Sequence, residues 1–346
     1  MSRGKDSRHR KRKEQAKRQR EAERHPPHAP RGVPSNITLL CMSPTSLSGI
    51  LGRSYEAERY LFQVRRLVES NECKSIEEAN ALLAQMSGFG WKEALDDSEP
   101  PTPEEDAREL AYRAMEATDL ETAVAMAMAA LEIDLCCVDA MTVLAQVSSR
   151  TDKERIEHLG MVVDRARVLL GEEFFEKHRG EFWRVLETRP YMRARQQLAD
   201  LLWLKRRFDE AIAHFEGMLD LNPDDNQGVR AMLLSSYLTV GNLGGARRLF
   251  REYSREDTAF FLWGRVLERL LAGDERAARS ALATARRDNP FVQDFLIGKR
   301  RRGNHPPSLF EAGDEDEARC CAFVLGPAWK RHREAKRWLK AQAETT

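Results

Sequence analysis

Residues 195–223 read RQQLADLLWLKRRFDEAIAHFEGMLDLNP. Two apolar helical stripes flank a polar turn at Arg206-Arg207, and Asn222-Pro223-Asp224-Asp225 closes the stretch. Ala199 sits in the first stripe and Ala211 opens the second, where small side chains let two helix backbones approach closely. Phe215 is then placed to fill the gap toward a following unit. Taking Pro223 as the end of a helix–turn–helix unit of about 34 residues, the apolar positions fall on Leu198, Ala199, Leu202, Ala211, Phe215 and Met218, and Arg195 is the one departure.

The pattern extends in both directions. The stretch ending at Pro290 supplies Leu262, Val266, Leu267, Leu270, Ala278, Leu282 and Ala285, and the one between supplies Leu233, Leu234, Tyr237, Ala246, Phe250 and Tyr253. Upstream, Ala107, Leu110, Ala111, Ala114, Ala123, Ala127 and Ala130 fit the same frame, with Leu135 in place of the proline. The small residue that opens the second helix recurs at Ala211, Ala246 and Ala278, 35 and 32 residues apart. Gly241-Asn242 and Gly273-Asp274 mark tight turns within hairpins. Residues 136–170 predict a longer hairpin, with Met141, Leu144 and Ala145 in its first helix. No alternating strand pattern competes. The spacing predicts an all-α fold, a tetratricopeptide-type helical-hairpin solenoid of roughly five units.

The remaining segments frame these repeats. Residues 1–35 hold almost no large apolar side chain and predict a disordered basic tail. Residues 36–95 predict a small helical segment, with a helix over 54–70 whose apolar face is Tyr60, Leu61, Val64, Leu67 and Val68. A second helix, opened by the capping box at Ser75-Ile76-Glu77-Glu78, runs through Met86 to Gly88-Phe89-Gly90. After a linker at 96–103, Thr102-Pro103-Glu104-Glu105 is a helix start with an N-cap, a proline at the first position and a glutamate at the third. The first repeat block is expected over 104–171, a junction and second block over 172–290, and a helical cap over 291–346. At the junction, Phe174, Phe175, Phe182 and Trp183 are the expected aromatic plugs between blocks.

A further likeness rests on particular strings. These are Phe182-Trp183, Glu187-Thr188-Arg189-Pro190-Tyr191-Met192-Arg193-Ala194-Arg195, Leu198-Ala199-Asp200-Leu201-Leu202-Trp203 and Leu221-Asn222-Pro223-Asp224-Asp225-Asn226-Gln227-Gly228-Val229-Arg230. Asn289-Pro290-Phe291-Val292, Phe295-Leu296-Ile297-Gly298-Lys299, Gly313-Asp314-Glu315-Asp316-Glu317-Ala318 and Trp338-Leu339 follow. Over roughly residues 104–340 the chain resembles the tetratricopeptide region of the suppression-of-tumorigenicity-seven family and its bacterial relatives. The resemblance implies an interaction scaffold with no assigned reaction.

Two features are candidates for binding. The first is the concave face that such repeats present, lined by first-helix positions expected to be exposed: Arg193, Gln196, Asp200, Trp203, Ser235, Trp263 and Glu268. Tryptophan and arginine anchors in a groove suit a protein or peptide partner. The Lys/Asn clamp for a terminal carboxylate is missing. The second is charge. Residues 1–31 carry twelve Lys/Arg against four acids, a local +8 on a chain of formal net charge +1, so the remainder carries −7. Arg8, Arg10, Lys11, Arg12, Lys13, Lys17, Arg18 and Arg20 would bind a polyanion such as nucleic acid or the ribosome through phosphate neutralisation, or serve only as a solvated arm.

Chemistry is sparse. No phosphate loop, H-E-x-x-H or nucleophile motif occurs, so no catalytic residue, metal or cofactor is expected. The six cysteines include the adjacent pairs Cys136-Cys137 and Cys320-Cys321, which suit neither a zinc site nor a disulfide framework. His214 is expected to be packed or at a rim rather than a ligand. Asp314-Glu315-Asp316-Glu317 invites a calcium reading, but Arg319 and Leu325 stand where a calcium loop needs glycine and glutamate. First-turn acids favouring a helix dipole are the better account. Reduced thiols, a cytoplasmic location and no membrane partner follow as expectations. The expected function is a non-enzymatic scaffold for an unidentified protein, with a tail-anchored nucleic-acid or ribosome factor as the alternative.

Overall fold

The computed structural model describes residues 55–85 apart from 72 and 74, residues 101–307 apart from 304, and residues 310–344. The expected basic tail, the start of the N-terminal segment and Gly88-Phe89-Gly90 lie outside the described residues. Every regular element among those described is helical. The chain divides into two compact units, and the division falls between Thr151 and Asp152 rather than at the expected 171/172 boundary.

The first unit contains α1 (Tyr55–Ser70), α2 (Ile76–Gln85), α3 (Pro103–Glu116), α4 (Leu120–Ile133) and α5 (Val138–Val147). The capping box at Thr102 and Glu105 forms as expected, with Pro103 in the first turn of α3. Ala107, Ala111, Ala114, Ala123, Ala127 and Ala130 are all fully buried, so α3 and α4 pack backbone to backbone. The expected apolar face of α1 is corrected. Tyr60 and Leu61 are exposed, while Leu67 and the carboxylate of Glu58 are buried. Tyr112 Oη donates to Glu58 at 2.7 Å, and the Tyr112 ring stacks on Tyr55 with centroids 4.8 Å apart. A buried acid is held here by a hydroxyl, which makes the burial tolerable.

The second unit opens with α6 (Asp152–Leu170) and the short α7 (Glu172–Lys177). It continues with α8 (Arg189–Leu204), α9 (Phe208–Leu221), α10 (Arg230–Val240), α11 (Leu243–Glu252), α12 (Ala259–Leu271) and α13 (Glu275–Asp288). It closes with α14 (Val292–Ile297), α15 (Glu315–Arg331) and α16 (Arg333–Glu344). Helix α6 was expected to end the first block. It belongs here because Leu159, Val162, Val163 and Ala166 are buried and the helix packs on α8.

Three hairpins, α8–α9, α10–α11 and α12–α13, follow the predicted turns. Ala199, Ala211, Ala246 and Ala278 are completely buried at the expected close approaches. Gly241 takes a left-handed φ of 79°, and Asn242 then caps α11 by accepting from Gly245 N at 2.8 Å. Gly273 and Asp274 repeat this device before α13. After α9, the buried Asp225 accepts from the amides of Val229 and Arg230 at the start of α10. The aromatic junction lies inside this unit: Phe175, Phe182 and Tyr191 meet edge-on, with centroid separations of 4.7, 5.4 and 6.0 Å. Phe174 and Trp183 are only half-buried, so two of the four expected plugs serve the core.

Candidate functional site

Of the seven first-helix residues expected to line an open groove, only Arg193 is not buried. The expectation of an exposed face is therefore corrected, and at Trp203 and Ser235 the cover is α15. It packs along α10 and α12, on the side of the hairpins that carries Trp203 and Ser235. Trp203 meets Phe323 with centroids 5.9 Å apart and also touches Phe208. Ser235 Oγ donates to the carbonyl of Val324 at 2.5 Å. On α15 itself, Cys321, Leu325, Ala328 and Trp329 are essentially fully buried.

The seven residues do not form one surface. Gln196 turns to the loop before α10, where Gln227 Nε2 donates to Gln196 Oε1 at 2.8 Å. Glu268 is buried and accepts from Arg247 Nε of α11 at 2.6 Å. Trp263 is completely buried, and neither its indole nitrogen nor that of Trp203 has a hydrogen-bond partner among the described residues. Asp200 is buried, its Oδ1 has no hydrogen-bond partner among the described residues, and burial pushes its carboxyl up to about 8.

The N-terminus of α15 is pinned by an acid the sequence reading left to the helix dipole. Asp314 caps α15 by accepting from Glu317 N. The buried Glu317 accepts from Ala259 N at 3.3 Å, Asn289 Nδ2 at 2.9 Å and Gly313 N at 2.7 Å. One carboxylate thus ties α15 to the start of α12 and the end of α13. Sequence spacing gave no sign of it, because its partners stand up to 58 residues away.

Other candidate groups are packed rather than poised. Burial and the nearby Arg195 lower the His214 imidazole to about 4, which keeps it neutral. Burial raises the thiols of Cys137 and Cys320 to about 12 and holds that of Cys321 well above the ordinary thiol range. A thiol held protonated is a poor nucleophile and a poor metal ligand. Among the described residues no three His, Cys, Asp or Glu side chains are grouped as a metal site, and no helix is long and apolar enough to cross a membrane. The eight basic tail residues from Arg8 to Arg20 lie outside the described residues.

No protein-family model, curated protein or solved structure matches this chain.

Proposed function

We propose that this protein is a non-enzymatic interaction scaffold of tetratricopeptide type. The observation that carries the reading is the fit of a helix to the hairpins, seen at the Trp203–Phe323 and Ser235–Val324 contacts. Repeat arrays of helical hairpins use such a face to take a partner segment, and here the segment is the chain's own α15. Kinship with the suppression-of-tumorigenicity-seven family is part of this proposal and rests on the residue strings quoted above.

The resident helix changes where a partner docks. Four nearly inaccessible side chains of α15 would have to return to water if it were displaced. At about 1.5–3 kcal/mol for each large apolar side chain, Leu325 and Trp329 alone would cost about 3–6 kcal/mol, a large part of the stability of a domain. The partner therefore meets the unit with α15 in place, on surfaces that remain open.

The test is capture from nuclease-treated lysate by the full-length chain and by a variant with Arg8, Arg10, Lys11, Arg12, Lys13, Lys17, Arg18 and Arg20 changed to glutamine. The same protein partner with both supports the scaffold. Enrichment of ribosomal or nucleic-acid-binding proteins that disappears with the charges replaces it with the tail-anchored reading.

A further inference from the structure

One end of the second unit carries a cluster of unpaired positive charge. The α8–α9 turn, the C-terminal end of α10 and the junction between α15 and α16 enclose a cleft of about 570 Å³. Arg206, Lys330, Arg331 and Arg333 line it, with Asp209 the single carboxylate and Phe208 an aromatic wall. All four cations are exposed. None of them is in an ion pair or side-chain hydrogen bond within the described residues.

The contrast within one turn is informative. Lys205 pairs with Asp152, and Arg207 pairs with Glu210 at 2.5 Å. Arg206, between them, has no such partner and lines the cleft from a left-handed backbone with φ of 61°. Lys330 and Arg331 lie in the last turn of α15, where the helix dipole favours cations. That account fails for Arg333, which opens α16 at the end where the dipole disfavours a positive charge. Like charges brought together from three elements repel one another until an anion neutralises them.

Size and chemistry narrow the anion. The cleft lies within the range of small-molecule pockets, about 300–1,000 Å³. Three arginines and a lysine offer forked and point donors that match phosphate oxygens. A duplex or long single strand would call for an extended basic track. We infer that this cleft is a binding site for a compact small molecule bearing two or more phosphate groups. The inference is independent of the scaffold reading and could stand if that reading fell.

Inorganic tripolyphosphate is the probe, titrated calorimetrically in about 0.15 M salt, where remote surface charges are screened beyond about 8 Å. Three full-length proteins are compared: the natural chain, the double variant Arg331→Gln/Arg333→Gln, and Arg276→Gln. Arg276 is an exposed, unpaired cation on α13, away from the cleft lining. The basic tail is common to all three, so its contribution cancels. Loss of two charge-assisted contacts is expected to weaken binding by about tenfold or more. Arg276→Gln should stay within about twofold of the natural chain. Should the double variant melt differently from the natural chain, Arg206→Gln takes its place. Equal binding by all three proteins, or no binding by any, overturns the site. So does an acidic peptide or single-stranded RNA that loses affinity in the double variant yet is not displaced by tripolyphosphate, since the occupant is then a macromolecule.

Discussion

The guanidinium of Arg302 donates to two helix carbonyls beside Pro327, one of which the proline leaves without its backbone donor. Pro327 lies inside α15 and has no N–H for the carbonyl of Phe323, four residues earlier. Arg302 Nη1 bonds Phe323 O at 3.3 Å and Ala322 O at 3.0 Å, and its guanidinium stacks over the Phe323 ring. The side chain replaces the missing backbone donor, so a proline is accommodated in a helix that the hairpins require. Arg302→Ala is expected to lower stability by about 1 kcal/mol, the usual net worth of one partly solvated hydrogen bond. Pro327→Ala restores the N–H, so in that background Arg302→Ala should cost measurably less. A urea double-mutant cycle reads the coupling, and strict additivity would show that the two residues act separately.

Glu317 accepts three N–H groups from three places in the chain, two of them on the fully buried Ala259 and Asn289. Glu317→Ala leaves the buried Ala259 amide without its acceptor, while Asn289 Nδ2 keeps the carbonyl of Asp314, and is expected to cost about 1–3 kcal/mol. Glu317→Gln retains an acceptor oxygen and should cost clearly less. Because Glu317 is fully engaged and Asp314 is a helix cap, calcium should not raise the melting temperature. A calcium-dependent rise would restore the metal reading of Asp314–Glu317.

The hairpins were legible in the sequence because their signals are local. Ala199, Ala211, Ala246 and Ala278 sit where close helix approach demands small side chains, and Asn242, Asp274 and Thr102 are caps whose targets lie three residues on. The covering of Ser235 and Trp203 was not legible, because periodicity marks a face as apolar without saying what meets it. Val324 is 89 residues beyond Ser235. Glu58 was missed for the same reason: its partner Tyr112 is 54 residues away. The inward polar positions Asp200 and Glu268 look like surface residues to any pattern based on hydrophobicity.

Gly264 was a signal passed over, a glycine in the interior of α12. A Cβ there would stand 2.7 Å from Leu234 Cδ2 of α10. Gly264→Ala is expected to destabilise by about 1–3 kcal/mol through overpacking, despite the better helix propensity of alanine. Gly160, inside α6, has nothing within 4 Å of the same position. Gly160→Ala should instead stabilise by about 0.5–1 kcal/mol. Opposite signs in urea denaturation check the close approach of α10 and α12, and equal signs would contradict it.

Asp200 makes the second unit's stability depend on pH near neutrality. Burial, with Oδ1 unpartnered among the described residues, raises its carboxyl from 3.8 to about 8 in the folded chain. The folded state therefore holds a proton that the unfolded chain releases, and stability falls wherever the native form binds more protons. The contribution is complete below about pH 4, declines as pH rises toward about 8, and levels off above it. Asparagine has nearly the same shape and carries no charge, so Asp200→Asn should come nearest to the natural protein at about pH 4 and below. By pH 8 it should be more stable, by an amount on the order of a few kcal/mol given about 1.4 kcal/mol per pKa unit. His214 and other groups titrate in both proteins, so the informative quantity is the difference between the two urea stabilities at about pH 5, 6.5 and 8. A difference that widens with pH establishes a neutral carboxylic acid buried on α8. Two parallel curves would mean that Asp200 is ionised in the folded chain, with a solvated or paired carboxylate.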